Sequence, residues 1–183
     1  MNSDLILLRG GGDLASGVAL RLHHAGFLVV ISELAEPVAV RRAVAFSEAV
    51  YSGIHQVEGV TGRRVEPAGI SDSLTAGEIP VLVDPEASIL GMDRFSWKAV
   101  VDARMRKAPP APLPAAVPLH IGLGPGFLAG SNCSTVIETR RSHTLGRVFW
   151  EGAPQADSGL PEGDPRRVLR APINGVLLAR AKI

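Results

Sequence analysis

The chain has 183 residues, of which 46% are hydrophobic and 20% are charged, a composition typical of a globular domain rather than a disordered chain. Its formal net charge of +1 removes the usual electrostatic argument for nucleic-acid binding, and its single cysteine excludes a disulfide framework and a cysteine-rich zinc site. We find no apolar run near the roughly 20 residues of a membrane span and no basic stretch of a secretory signal, so we expect a cytoplasmic protein without nucleic-acid or membrane partners.

The beginning of the chain predicts a strand, a helix and a second strand. Residues 5–8 form an apolar run that ends in three glycines, as a buried parallel strand followed by a tight turn does. Residues 13–25 have apolar side chains at helical spacing, and Gly26 stands where a helix usually ends. Residues 27–31 form another apolar run. Together these elements predict the βαβ unit that opens a doubly wound sheet.

The rest of the chain continues this alternation. In chain order we predict a helix over 38–51 after Pro37, a short helix over 72–77, strands over 80–83 and 99–103, a proline-rich connector over 108–118, and strands over 119–122 and 135–139. In residues 54–69 polar and apolar side chains alternate irregularly, so we assign no strands to this segment. The pattern predicts an α/β protein with a Rossmann-like, doubly wound, mostly parallel sheet.

The domain organisation follows from a change in composition near residue 150. Residues 1–150 are predicted to form one Rossmann-like domain that binds a nucleotide or cofactor. Residues 151–183 begin with a stretch rich in glycine, proline and acidic residues, which is typical of a linker. They end in a short β-rich tail, where Asn174 and Gly175 favour a hairpin turn.

The glycine-rich segment after the first strand is the first candidate binding site. Such a loop lets backbone N–H groups approach a phosphate at the positive end of a helix. Glu33 ends the second strand, where a dinucleotide site places the acid that binds a ribose. The candidate ligand-binding residues here are Gly10, Gly12, Asp13, Ser16, Gly17 and Glu33. Because Asp13 is negatively charged, we expect it to accept from a ribose or base rather than to face a pyrophosphate; a turn that binds nothing is the alternative.

Arginines and a second glycine turn extend this candidate site. Arg41 and Arg42 follow Glu33 closely, near the position of a ribose 2′-phosphate, and Arg104 follows the end of a predicted strand. The second turn contains Gly122, Gly124 and Gly126. Since ligands bind at the carboxyl edge of such sheets, we expect both turns to border one crevice. The pattern does not decide whether the ligand is NAD, NADP, a mononucleotide or a pterin phosphate. For the arginine pair the alternative is that both side chains belong to a solvated helix face.

Three further side chains are weak candidates for catalysis, and the catalytic residues otherwise stay unassigned. Cys133 is the only possible sulfur nucleophile or carrier, although free cysteines are more often small buried hydrophobes. Glu138 and His143 could form an acid–base pair, with a surface or hydrogen-bonded histidine as the alternative. Their spacing matches no metal motif, so we predict no metal site.

Several segments together resemble the YqeB family. The likeness is carried by RGGGDLASGVA at 9–19, by VDARM at 101–105 and by IGLGPGF at 121–127, and it extends to residues 39–50, 136–139 and 143–148. Members of this family are accessory proteins linked to selenium-dependent molybdenum hydroxylases, and distant relatives of the XdhC/CoxI maturation proteins. This chain departs from the family pattern at Gly11, where an alanine is usual.

The resemblance implies a Rossmann-type domain that takes part in maturation of a molybdenum enzyme's cofactor, including sulfur or selenium handling. The implied ligand is NAD(P), a cytidine nucleotide or a molybdopterin-type cofactor, and the implied partner is the hydroxylase apoenzyme; a homo-oligomer is also open. Family members continue into a biotinyl/lipoyl-like β module, so we expect that module to be missing or only begun here. An NAD(P)-dependent oxidoreductase and a non-catalytic docking chaperone are the alternatives, and whether the protein is an enzyme stays open.

Overall fold

The computed structural model describes residues 5–159 and 172–175 and shows an α/β architecture. The strands are β1 (Leu5–Arg9), β2 (Leu28–Glu33), β3 (Ile54–Val57), β4 (Val60–Arg64), β5 (Ile79–Val83), β6 (Trp97–Asp102), β7 (His120–Leu123), β8 (Thr135–Ile137) and β9 (Val148–Phe149). The α-helices are α1 (Asp13–His24), α2 (Ala49–Ser52) and α3 (Ile70–Thr75), and single 3-10 turns lie at Arg42–Val44, Phe46–Glu48, Pro67–Gly69 and Ser88–Gly91. The predicted Rossmann-like class is confirmed.

The strands form one sheet in the order β3-β4-β5-β2-β1-β6-β7-β8-β9. The edge strands β3 and β9 pair antiparallel to their neighbours, and the strands between them are parallel. From β1 the chain proceeds to β2 and β5 on one side, whereas β6, β7 and β8 lie on the other. The order therefore reverses between β1 and β6. Open α/β sheets bind ligands beyond the carboxyl ends of the strands at such a point.

Alternate residues of the central strands pack on opposite faces of the sheet. Ile6 and Leu8 of β1 lie on the face covered by α1 and by Phe46. Leu5 and Leu7 lie on the other face, against α3 and the turn at Ser88–Gly91. The partly buried side chains of the proline-rich connector on this second face are Leu113, Ala115 and Val117. Because both faces are covered, the parallel strands read as continuous apolar runs in the sequence.

Helix α1 ends where the sequence predicts. Gly26 has a φ of +89°, its N–H donates to the carbonyl of His23 at 3.0 Å, and the N–H of Phe27 donates to the carbonyl of Leu22 at 3.1 Å. These two bonds form a Schellman motif, which requires the left-handed conformation that glycine adopts at little cost. The motif turns the chain from α1 into β2.

The predicted continuous helix over 38–51 is wrong. The segment instead contains two 3-10 turns followed by the four-residue helix α2, which ends before Gly53. The N–H of Phe46 donates to the Ser16 hydroxyl at 2.8 Å, and the N–H of Ser47 donates to the carbonyl of Gly11 at 2.8 Å. Because these groups bond to the glycine loop and α1, they are not available for a regular helical ladder. The segment is therefore anchored to the glycine-rich loop.

The structure also resolves the segment that the sequence left open. Strands β3 and β4 form an antiparallel hairpin, and the two residues between them, Glu58 and Gly59, both have positive φ. Two such residues are typical of a type I′ hairpin turn.

Among the described residues no helix is long and apolar enough to cross a membrane. The strands of the hairpin predicted around Asn174 and Gly175 lie outside the described residues.

Candidate functional site

A cleft of about 370 Å³ lies at the carboxyl ends of β1 and β6, where the strand order reverses. One wall is the glycine loop with the first residues of α1, and the opposite wall is the segment that follows β6. The residues that close its remaining side follow β2. The lining residues that bear on ligand binding are Gly10, Gly12, Asp13, Glu33, Arg104 and Arg106. The structure thus brings together five of the sequence-predicted residues and adds Arg106.

The glycine loop is shaped by close contacts. Gly10 has a φ of +93°, and a Cβ there would lie 3.3 Å from the Cγ of Arg104, so the side chain of Arg104 crosses directly over this glycine. The Ser16 hydroxyl donates to the carbonyl of Gly11 at 3.1 Å and accepts from the N–H of Phe46. Ser16 is fully buried and does not line the cleft. Its hydroxyl therefore holds the shape of the loop in this structure.

Asp13 forms an ion pair with Arg41 at the start of α1. The other carboxylate oxygen accepts the N–H of Leu14 at 2.8 Å. The first N–H groups of a helix have no partners within it, and a carboxylate there is stabilised by the helix dipole. Asp13 therefore occupies part of the electrostatic role that a bound phosphate takes in many glycine loops, so its negative charge makes the start of α1 less favourable for an anionic group.

Glu33 is held against the glycine loop by two backbone groups. One carboxylate oxygen accepts the N–H of Gly11 at 2.6 Å, and the other accepts the N–H of Leu34 at 2.7 Å. Each carboxylate oxygen has a further lone pair available. Glu33 lines the cleft, so it is oriented to accept from hydroxyl or amino groups of a ligand.

A cluster of three charged side chains lies at the switch point itself. Asp102 is fully buried and accepts two bonds from the Arg104 guanidinium, at 2.9 Å from Nε and 2.6 Å from Nη2. Arg9 is 3% exposed; its Nη1 lies 3.7 Å from Asp102 Oδ2, and its Nη2 donates to the carbonyl of Pro85 at 2.8 Å. Burial and the positive charge of Arg104 lower the pKa of Arg9, against the opposing effect of Asp102. Two guanidinium groups thus share one carboxylate.

The segment after β6 presents this cluster to the cleft. Arg104 is about a quarter exposed, at 26% of its side chain, whereas Asp102 is fully buried. Met105 has a φ of +57°, an unusual conformation for a residue with a side chain, and it lies between the two arginines that line the cleft. Strained residues of this kind concentrate at binding sites. The arrangement places positive charge opposite the carboxylates of Asp13 and Glu33.

Arg42 does not line the cleft. Its guanidinium donates two bonds to Glu48, at 2.5 and 2.6 Å, and lies 5.1 Å from the ring centroid of Tyr51. The bonds and charge of Glu48 raise the pKa of Arg42. Arg41 is paired with Asp13 and faces a larger groove on the outer side of α1, which is lined in part by Gly17. Neither arginine is placed to bind a phosphate in the cleft in this structure.

The second glycine turn lies at the same edge of the sheet but behind the segment after β6. The N–H of Gly126 donates to the carbonyl of Arg106 at 2.8 Å, and a Cβ on Gly124 would lie 3.6 Å from the Cα of Met105. A Cβ on Gly122 would lie 2.1 Å from the Cγ of Phe127. Each of these glycines has a packing role, and none lines the cleft. The turn supports the wall that carries Arg104.

Cys133 is buried in a small apolar cluster. Its neighbours there are Phe127, Ala129 and Val136. Burial raises the pKa of the Cys133 thiol, although backbone N–H groups partly oppose this. Since the thiolate is the nucleophilic form, this environment disfavours reaction at neutral pH.

Glu138 is also buried, and it is bound by backbone rather than by His143. Its oxygens accept the N–H groups of Arg140 and Gln155, both at 2.8 Å. Burial by itself would raise the pKa of Glu138, but these bonds and the charge of Arg140 outweigh it and lower the pKa. His143 lies exposed in the loop that follows. The carboxylate therefore ties the loop after β8 to the segment that follows β9.

The sequence did not single out Arg9 as a functional residue. It ends β1 in register with Asp102 of β6, so both side chains point to the same face of the sheet. A signal was present in the sequence, because an arginine directly after a buried apolar run needs a partner when it is buried.

The described residues contain no group of three or more His, Cys, Asp or Glu side chains arranged to hold a metal ion.

Comparison with known proteins gives one informative relative. The chain is 44% identical over 184 aligned residues to the protein described as uncharacterized protein YqeB of Escherichia coli (strain K12). The alignment covers 98% of this chain and 34% of that relative, so the chain spans about a third of the relative's length. No family profile matches the chain, and no solved structure matches it. The similarity supports the resemblance to the YqeB family.

Proposed function

We propose that this chain acts as an accessory or maturation protein of molybdenum hydroxylases and binds a nucleotide or a molybdopterin-type cofactor in the cleft. The observation that carries the binding proposal is the cleft itself, which lies at the topological switch point between the glycine loop and Arg104. The accessory role rests on the resemblance to the YqeB family. The hydroxylase apoenzyme is the partner proposed on the same ground.

The charges of the cleft support a ligand with two different ends. Glu33 and Asp13 offer carboxylate oxygens on one side, whereas Arg104 and Arg106 offer positive charge on the other. A phosphate or pyrophosphate suits the arginines, because a guanidinium binds such groups in a planar fork. A ribose diol, or the amino and N–H groups of a pterin, suits the carboxylates. Nucleotides and phosphorylated pterins both combine these two features.

The proposal is tested by thermal-shift and calorimetric titration with ADP, CTP, NAD, NADP and a molybdopterin-type compound. We expect one or more of them to raise the melting temperature, because a ligand that binds only the native state stabilises it. Arg104→Ala should weaken the binding at least about tenfold. Arg63→Ala is the matched control, since Arg63 forms a similar two-bond pair with Glu78 but does not line the cleft. Absence of any shift with the wild-type protein would contradict the proposal.

An NAD(P)-dependent oxidoreductase is the second candidate function, and Glu33 favours it. The acid lines the cleft at the end of β2, where a dinucleotide site binds its ribose. A tyrosine hydroxyl is one group that could act as the proton donor of such a reaction. Tyr51 is the single tyrosine, and its hydroxyl donates to the carbonyl of Pro37 at 2.8 Å and does not line the cleft, which weighs against this function. Stabilisation by NAD or NADP alone, together with reduction of a test substrate, would replace the maturation role with this one. Binding of none of the compounds, with copurification of a hydroxylase subunit, would favour a docking chaperone.

A further inference from the structure

In the charged cluster beneath the cleft two guanidinium groups approach one carboxylate, while the charges of Glu86 and Asp84 act on Arg9 without forming an ion pair with it in the described structure. Arg9 and Arg104 both approach the same oxygen of Asp102, Oδ2, at 3.7 and 2.6 Å. Arg9 is buried, with 3% of its surface exposed, and its Nε has no hydrogen-bond partner in the described structure. A buried guanidinium without a full set of partners is costly. Arg9 therefore keeps one unused donor, its Nε, in the form described.

The two arginines differ in their access to the cleft. Arg104 lines the cleft and has an exposed fraction of 26%, whereas Arg9 lies below the loop and does not line it. Arg9 reaches Asp102 because β1 and β6 place the two residues in register. Only Arg104 can turn from the carboxylate toward a ligand. If it does so, Asp102 keeps a positive partner only through Arg9.

We propose that an anionic group of the ligand, a phosphate or a carboxylate, takes Arg104 from Asp102, and that Arg9 then closes on Asp102 and holds its charge. This inference rests on the proposed function, because it concerns the same cleft. Arg104 is the residue that contacts the ligand. Arg9 is a positioning residue, which acts by keeping a buried carboxylate compensated while Arg104 is engaged.

The exchange explains the placement of all three groups. Without Arg9, movement of Arg104 would leave Asp102 buried without a counter-charge, which is strongly unfavourable. Without Asp102, the two guanidinium groups would repel each other in the free protein, and Arg104 would be more available to an anion. The free protein and the complex are each compensated by a different pair. The repulsion between the arginines is relieved when the ligand's anion binds Arg104 and Asp102 stays with Arg9.

The experiment measures the dissociation constant of inorganic pyrophosphate and of ADP by calorimetry for the wild type and three variants. Arg9→Met removes the second partner of Asp102 but leaves the Asp102–Arg104 pair, so we expect the free protein to keep its melting temperature while binding weakens about tenfold or more. Arg9→Lys should recover part of the lost affinity because it restores the charge. Asp102→Asn should lower the melting temperature of the free protein and tighten anion binding. Arg63→Met is the control and should leave binding unchanged.

A second measurement follows the Arg104 side chain directly. Its Nε donates to Asp102 at 2.9 Å in the described form, so its N–H resonance should move when pyrophosphate binds to the 15N-labelled wild type. Binding of pyrophosphate or ADP with an unmoved resonance, or with equal affinity in Arg9→Met, would overturn the exchange and leave the proposed function standing. Weaker anion binding in Asp102→Asn would also overturn the exchange. Absence of binding by the wild type to these two probes and to every compound of the thermal-shift panel would overturn both proposals.

Discussion

The substitution Gly122→Ala separates a packing role of the second glycine turn from a ligand-binding role. A Cβ at this position would lie 2.1, 2.4 and 2.7 Å from three atoms of Phe127, far inside ordinary van der Waals separation. Phe127 is 1% exposed and packs against Ala129, Cys133 and Val136, so its ring has no free space into which to move. Overpacking of a core typically costs 1–3 kcal/mol. With three such contacts we expect a loss of about 3 kcal/mol.

The assay is urea denaturation, followed by the fluorescence of the two tryptophans. Gly91→Ala is the matched control, since a Cβ there meets nothing within 4 Å, and we expect it to change stability by less than about 0.5 kcal/mol. Phe127→Ala removes two of the three clashing atoms, so the double variant should be less destabilised than the sum of the single variants by about 1 kcal/mol or more. Wild-type stability in Gly122→Ala, or strictly additive effects, would refute the packing argument.

Three further predictions concern buried polar and sulfur groups. Glu138→Gln should lower the free energy of unfolding by about 1–3 kcal/mol at pH 7. Because the folded-state pKa of Glu138 is lowered, this loss is present above the unfolded pKa and should vanish as the pH falls through the folded pKa. Equal losses at acid and neutral pH in thermal unfolding would contradict this. Ser16→Ala should cost about 1–2 kcal/mol in urea denaturation, because it leaves the N–H of Phe46 without its partner, whereas unchanged stability would show that the N–H finds another. Cys133 should react with a thiol reagent at least about tenfold more slowly in the native protein than in urea, because burial raises the pKa of its thiol. Rapid labelling of the native protein would contradict this.

The order and class of the main elements could be predicted from the sequence, because their signals are local. Apolar runs bounded by glycine and proline mark buried parallel strands, and Gly26 ends α1 through its own backbone conformation. Part of the cleft follows from the same information, whereas the second glycine turn, which we expected to border the same crevice, does not line it. Parallel strands place their following loops at one edge, so the glycine loop, Glu33 and Arg104 were expected to lie together.

The tertiary structure decided the partners of the charged groups and the form of the segment after β2. Arg41 and Arg42 are near Glu33 in the chain, but Arg41 pairs with Asp13 and lines the outer groove, and Arg42 pairs with Glu48, so neither lines the cleft. Arg9 lies within ion-pair distance of Asp102 because the two residues are in register, and register between distant strands is set by long-range packing. The predicted helix over 38–51 failed because its backbone bonds to α1 and the glycine loop.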